Sequence, residues 1–146
     1  SRPVIMSTGM ASTQEIVDAM NTYNKISVNP EVALLHCVSA YPAPVSSLGM
    51  RQIRAMDFDG FSDHAAAGWI ASGAVAVALG AKILEVHIRP EQMDEENPDG
   101  PHALRPVEFR NYVQHVRLAD EAIGDEPWRQ RHNPAEDAMR PYRVQP

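Results

Sequence analysis

An alternation of short apolar runs with helical segments predicts an α/β fold built on a parallel sheet, and three observations carry that prediction. Four strand-like runs, PVIMS (3–7), VALLHC (32–37), DGFS (59–62) and KILEVHI (82–88), begin roughly every 25 residues. A segment with helical signals follows each one, and alternation of this kind builds parallel sheets with helices packed against them. The first, second and fourth runs are brief and rich in Val, Ile and Leu, as strands covered on both faces are. The third is weak by itself.

The helical segments carry recognisable starts and stops. Ser12 and Glu15 have capping-box spacing ahead of IVDAMNTY. LGMRQIRAM (48–56) is short and amphipathic. HAAAGWIASGAVAVALG (64–80) is rich in Ala and predicts one helix ended by Gly80. PVEFRNYVQHVRLADEAIG (106–124) has Pro106 in its first turn and Gly124 past its last. Its Val107, Tyr112, Val113, Val116, Leu118 and Ile123 make an apolar stripe of mostly helical period. Two architectures fit four βα units: an open doubly wound sheet, or half of a (β/α)8 barrel, which takes about 250 residues in full. Residues 125–146 have no sustained periodicity and predict an extended tail, with Trp128, Met139 and Tyr142 as surface anchors.

Composition narrows the function. The chain has 146 residues, a formal net charge of −6, and only two Lys among its thirteen basic residues. It has no basic stripe for nucleic acid and no apolar run of membrane-spanning length. Cys37, the single cysteine, has no internal disulfide partner, so the expected compartment is the cytoplasm. A start at Ser1, directly before an apolar run, reads as a processed or cut end.

In parallel α/β folds the chemistry sits at the C-terminal ends of the strands. Those ends carry Ser7 and Thr8; His36, Cys37, Ser39 and Tyr41; Ser62, Asp63 and His64; and His87. All are expected to project toward one mouth. The bland reading of a lone His is a hydrogen-bonded structural residue, and Asp63 could simply cap a helix that starts at His64. The alternating run LEVHI sets Leu84, Val86 and Ile88 on one face and Glu85 and His87 on the other. Two imidazoles on adjacent strands, His64 and His87, make a plausible divalent-metal site with open positions; a closed zinc site is excluded because Cys37 is solitary. Ser7 and Ser62 are candidate donors to phosphate oxygens, although STGMAS has neither Walker spacing nor a dinucleotide fingerprint. His102, His115 and His132 are expected at the surface, and Asp94, Glu95 and Glu96 in a solvated loop.

PVIMSTGMAS, LLHCVSAYPAP, GFSDH, AVALGAKILEVHI and PDGPHALRPVEF occur in an order and spacing that resemble the sialic acid synthases, the N-acetylneuraminate synthase family. The likeness covers residues 2–124. It implies a TIM-type (β/α)8 barrel, of which residues 1–124 would be the C-terminal half, beginning at the fifth strand, and 125–146 a linker. It also implies condensation of phosphoenolpyruvate with N-acetylmannosamine or a related N-acetylated amino sugar, with Mn2+ or Mg2+ as cofactor. By the resemblance, His64 and His87 are catalytic metal ligands. Ser7 and Ser62 match phosphate-side contacts, Ser39 lies near the phosphoenolpyruvate, and Tyr41 and Asp99 contact the sugar. The family's lysines and glutamate, on the first four strands, and its small C-terminal domain have no counterpart here. Val86 and Ile88 stand where the family has a cation and an aromatic. The resemblance therefore implies a partner, either a complementary half-barrel or a second copy of the chain; a non-catalytic binding or scaffold protein is the alternative.

Overall fold

A computed structural model describes residues 2–28, 30–93, 97–124 and 133–143. Four strands, β1 (Val4–Ser7), β2 (Val32–Cys37), β3 (Gly60–Asp63) and β4 (Ile83–Val86), pair in parallel in the order β1-β2-β3-β4. Between and after them come α1 (Thr13–Ile26), α2 (Arg51–Ala55), α3 (Ser72–Ala78) and α4 (Pro106–Ile123). Strand order follows chain order throughout. A doubly wound sheet reverses its order at a switch point, whereas successive barrel strands do not. The fold is a half-barrel, so the second of the two architectures is the correct one.

Register separates the two faces of the sheet. Cys37, Ser62 and Glu85 share one row, and Leu35, Gly60 and Ile83 share the row below. The opposite face carries Phe61 and Leu84, which join Leu48, Ile53 and Ala76 in the main core beneath the helices. Phe61 is fully buried, and burying such a side chain stabilises by roughly 1.5–3 kcal/mol. The weakest run in the sequence thus becomes the most buried strand, every residue of β3 being buried. Val86 packs on the helix side with Ala66, Leu104 and Tyr112, which accounts for an apolar residue there.

The helix ends follow the sequence closely in two cases. Ser12 and Glu15 form the expected reciprocal box, with Ser12 N–H donating to Glu15 Oε2 at 2.8 Å. Gly124 follows α4 with φ 65°, and Glu108 turns back to accept from the Arg105 N–H at 2.8 Å. The Ala-rich segment departs from expectation. Only Ser72–Ala78 is helical, and residues 64–71 form turns. Asp63 causes this: its Oδ1 accepts from Ala65 N–H at 3.0 Å, and Gly68 and Trp69 N–H both donate to the Ala65 carbonyl. Asp63 therefore caps a tight turn rather than a helix. Ala65 and Ala66, each 1% exposed, are small because that turn is packed inside the protein.

The tail also differs from an extended one where it is described. Pro134–Tyr142 forms a 3-10 helix whose Met139 and Tyr142 stay exposed and anchor on nothing described; Trp128 lies outside the described residues. No described helix is long and apolar enough to cross a membrane.

Asp63 also accepts at Oδ2 from Tyr112 on α4 (3.0 Å) and from Ser72 on α3 (2.5 Å). Ser72 Oγ lies 2.7 Å from the Trp69 carbonyl as well. One hydroxyl proton thus faces two acceptors, and a proton on Asp63 relieves the shortage. Burial pushes the Asp63 pKa above its ordinary 3.8, against the lowering effect of its hydrogen bonds, and burial pushes the Tyr112 hydroxyl upward too. A raised carboxyl pKa means that the folded chain holds this proton more tightly than the unfolded chain does. Its contribution to stability is complete below the unfolded value and is lost as pH rises toward the folded one. Urea denaturation at pH values rising from below the ordinary 3.8 of Asp63 should show the wild type losing stability relative to Asp63→Asn; parallel curves would disprove this. Tyr112→Phe should lower stability by about 1–3 kcal/mol in the same experiment.

Candidate functional site

The site lies where β3 and β4 end, and the segment after β4 completes it. Beyond β4 the chain passes His87, loops, and returns alongside itself. Leu104 N–H donates to the His87 carbonyl at 2.8 Å and Arg89 N–H to the Leu104 carbonyl at 2.9 Å, making a parallel bridge between Ile88 and Leu104. This bridge brings Asp99 and His102 back against His87. Asp99 Oδ1 lies 3.5 Å from His87 Nδ1 and 3.3 Å from His102 Nε2.

Tyr41 sits at the centre. Its ring centroid is 4.3 Å from that of His64, 4.9 Å from His102 and 5.8 Å from His87. His64 and His87 meet edge to face at 5.4 Å, and His87 and His102 at 4.6 Å. Tyr41 itself is 52% exposed, so it forms the open lip of the cluster.

The tautomer of His64 follows from its surroundings. Nδ1 lies 2.7 Å from the Val38 carbonyl, which can only accept, so Nδ1 carries the hydrogen and neutral His64 presents a bare Nε2. Ser62 Oγ is 3.3 Å from that Nε2, but its proton goes to Glu85 Oε1 at 2.7 Å. The Nε2 lone pair is thus left for another partner. His102 is 2% exposed and neither ring nitrogen completes a hydrogen bond, although Asp99 Oδ1 stands 3.3 Å from Nε2. Burial, with His87 and His64 nearby, pushes its pKa below the ordinary 6.5 against the opposing effect of Asp99, which favours the neutral ring. Neutral imidazoles with uncommitted nitrogens beside a carboxylate have the chemistry of a divalent-cation site, and these residues fit such an ion. His87, Asp99 and His102 are grouped tightly enough to hold one, their donor atoms lying within 4.8 Å of one another.

Several expected residues fall elsewhere. His36 leaves the mouth entirely: it points to the helix side, is buried between Phe58 and Phe61, and donates from Nε2 to the Leu48 carbonyl at 2.7 Å. It is the structural histidine of the bland reading. Ser7 ends β1 and is exposed. Ser39 lies against the loop after β1: a Cβ on Gly9 would come within 2.1 Å of its Oγ, so a larger residue there would push the Ser39 side chain aside. Thr8 Oγ1 donates to the Leu35 carbonyl and is structural. His102, expected at the surface, is buried in the site, because the Leu104 bridge pulls its segment inward. The sequence held one sign of this, the apolar pair Ala103-Leu104 directly after it. His115 is exposed as expected, while His132 and residues 94–96 lie outside the described residues.

Parallel strands in barrel order with helices on one face define a piece of a (β/α)8 barrel protein, and the candidate cation cluster lies at the C-terminal rim of its strands. The chain belongs to the NeuB family, whose model matches residues 1–127. It is 33% identical over 131 residues to an N,N'-diacetyllegionaminic acid synthase of Campylobacter jejuni, an alignment covering 86% of this chain and 38% of that one. It is 35% identical to the human N-acetylneuraminate-9-phosphate synthase, over 84% of this chain and 34% of that one. The crystal structure of a sialic acid synthetase from Leptospira borgpetersenii, in complex with citrate, superposes with a TM-score of 0.74 and 28% identity, covering 94% of this chain and 48% of the other. The chain thus spans between 34% and 38% of the length of these curated relatives.

The Val38 contact gives a direct test of the site's geometry. Histidine-selective nitrogen NMR above about pH 7.5 should find His64 as the Nδ1–H tautomer, with the shift of an unprotonated Nε2. A protonated Nε2 in neutral His64 would contradict the arrangement described.

Proposed function

We propose that this chain is the C-terminal half of the barrel of a NeuB-type synthase that condenses phosphoenolpyruvate with an N-acetylated amino sugar such as N-acetylmannosamine. The supporting observation is the cluster of His64, His87, Asp99 and His102 around the Tyr41 ring, in a chain one third identical to curated synthases. In this reading His64 and His87 hold Mn2+ or Mg2+. Such a cation, when bound, polarises a carbonyl oxygen as a Lewis acid.

The remaining roles belong to the chain's own groups. The Val38 carbonyl orients His64 and keeps its Nε2 facing the site. The exposed Asp99 carboxylate suits sugar hydroxyls, which donate to it. Tyr41 offers a half-exposed ring against which a sugar can pack. Ser7 and Ser39 are the hydroxyls with room to donate to a phosphate or carboxylate. Ser62 is different, because its proton is held by Glu85; it turns to an anion only when Glu85 takes another partner. A complementary half-barrel supplies the cations that an anion of this charge requires, whereas a second copy of the chain closes the barrel but only duplicates the histidine pair. The cytoplasm is the expected compartment.

A second reading, a binding or scaffold protein without turnover, is favoured by the Glu85 carboxylate standing beside Ser62, where an anion contact is expected. One assay separates the two. Phosphate release from phosphoenolpyruvate and N-acetylmannosamine with Mn2+ should be absent for the isolated chain and appear when the N-terminal half of a family synthase is added. Failure in the reconstituted mixture, with Mn2+ binding intact, would establish the second reading. In the active mixture His64→Ala or His87→Ala should reduce the rate at least about a hundredfold, the loss expected when a positioned electrostatic group is removed.

A further inference from the structure

His102 is the buried group with the least satisfied surroundings in the site. It is 2% exposed, and neither Nδ1 nor Nε2 makes a hydrogen bond. The Ile88–Leu104 bridge carries the ring inward but leaves its nitrogens without a hydrogen bond, which is destabilising until another partner satisfies them. Its Nε2 is 3.3 Å from Asp99 Oδ1, and the same oxygen is 3.5 Å from His87 Nδ1. The three donor atoms lie within 4.8 Å of one another, on a segment held to the end of β4 by the Ile88–Leu104 bridge.

We propose that His102 and Asp99 are protein ligands of the divalent cation, alongside the strand-end histidines, and that this nitrogen-rich set selects a first-row transition cation such as Mn2+ over Mg2+. The inference rests on the cation-binding function proposed above and extends it. Imidazole nitrogen suits transition cations, whereas Mg2+ takes oxygen ligands and keeps its water. The cation would then add a second tie, beside the Ile88–Leu104 bridge, between β4 and the segment that carries Asp99 and His102.

Mn2+ alone is the probe, titrated into the whole chain and followed by electron paramagnetic resonance. His102→Ala and His102→Gln should each bind at least about tenfold more weakly than wild type, with unchanged far-ultraviolet circular dichroism. A roughly hundredfold excess of Mg2+ should leave bound Mn2+ in place. Should either variant misfold, the wild type decides: adding Zn2+ should move the ring nitrogen resonances of His102, assigned through the backbone. Wild-type affinity in the His102 variants, an unmoved His102 ring at saturating Zn2+, or displacement of Mn2+ by equimolar Mg2+ overturns this inference. If His64→Ala and His87→Ala still lose binding in those circumstances, the proposed function stands without it. Absence of Mn2+ binding by wild type, or wild-type affinity in all four variants, overturns both.

Discussion

One buried carboxylate holds the site-bearing end of this half-barrel together. Asp63 closes β3, and it receives hydrogen bonds from the Ala65 amide, from Ser72 on α3 and from Tyr112 on α4. Its first bond bends the chain just after His64, and the other two tie the helices of the third and fourth units to the strand that carries Ser62. Gly73 leaves room for this: a Cβ there would meet the Tyr112 ring at 2.4 Å. An isolated carboxylate in such a place is costly, and three donors make the burial tolerable. His64 is positioned because its neighbour is held from three directions.

The site is built from groups whose hydrogen bonds are partly spent. Val38 takes the Nδ1 proton of His64, and Glu85 takes the proton of Ser62. What remains is a set of lone pairs: His64 Nε2, the unprotonated ring nitrogen of His102, and the Asp99 oxygens. A surface that offers acceptors and few donors attracts cations. In the proposed reading the donors for an anion are Ser7 and Ser39, at the ends of the earlier strands.

The open inner face has a physical consequence. Ile5 is 57% exposed there, while on α4 Val107 and Leu118 are each 52% exposed. In a closed barrel such residues meet the opposite wall and the neighbouring helices. The polar row Cys37, Ser62 and Glu85 stands above these apolar positions at the level of the mouth. The same half-barrel thus offers apolar contacts low on the sheet and chemistry at its rim.

Local features were legible in the sequence because their causes are local. Alternation within LEVHI placed Glu85 inward and Val86 among the helices. Ser12 with Glu15, and Pro106 with Gly124, marked real helix ends. The mostly apolar stripe of 106–124 buried Tyr112. The run of alanines after His64 misled for residues 64–71, because small residues suit both a helix and a tightly packed turn. The choice depended on Asp63, whose side-chain partners lie 9 and 49 residues away. The two histidines at successive strand ends were visible as a pair, since a parallel register aligns strand ends. Tertiary contacts alone decided that His36 turns from the mouth to Leu48 and that His102 enters it. Periodicity reports which face of its own element a residue occupies. It carries no information on where a loop returns, and the bridge between Ile88 and Leu104 sets that return.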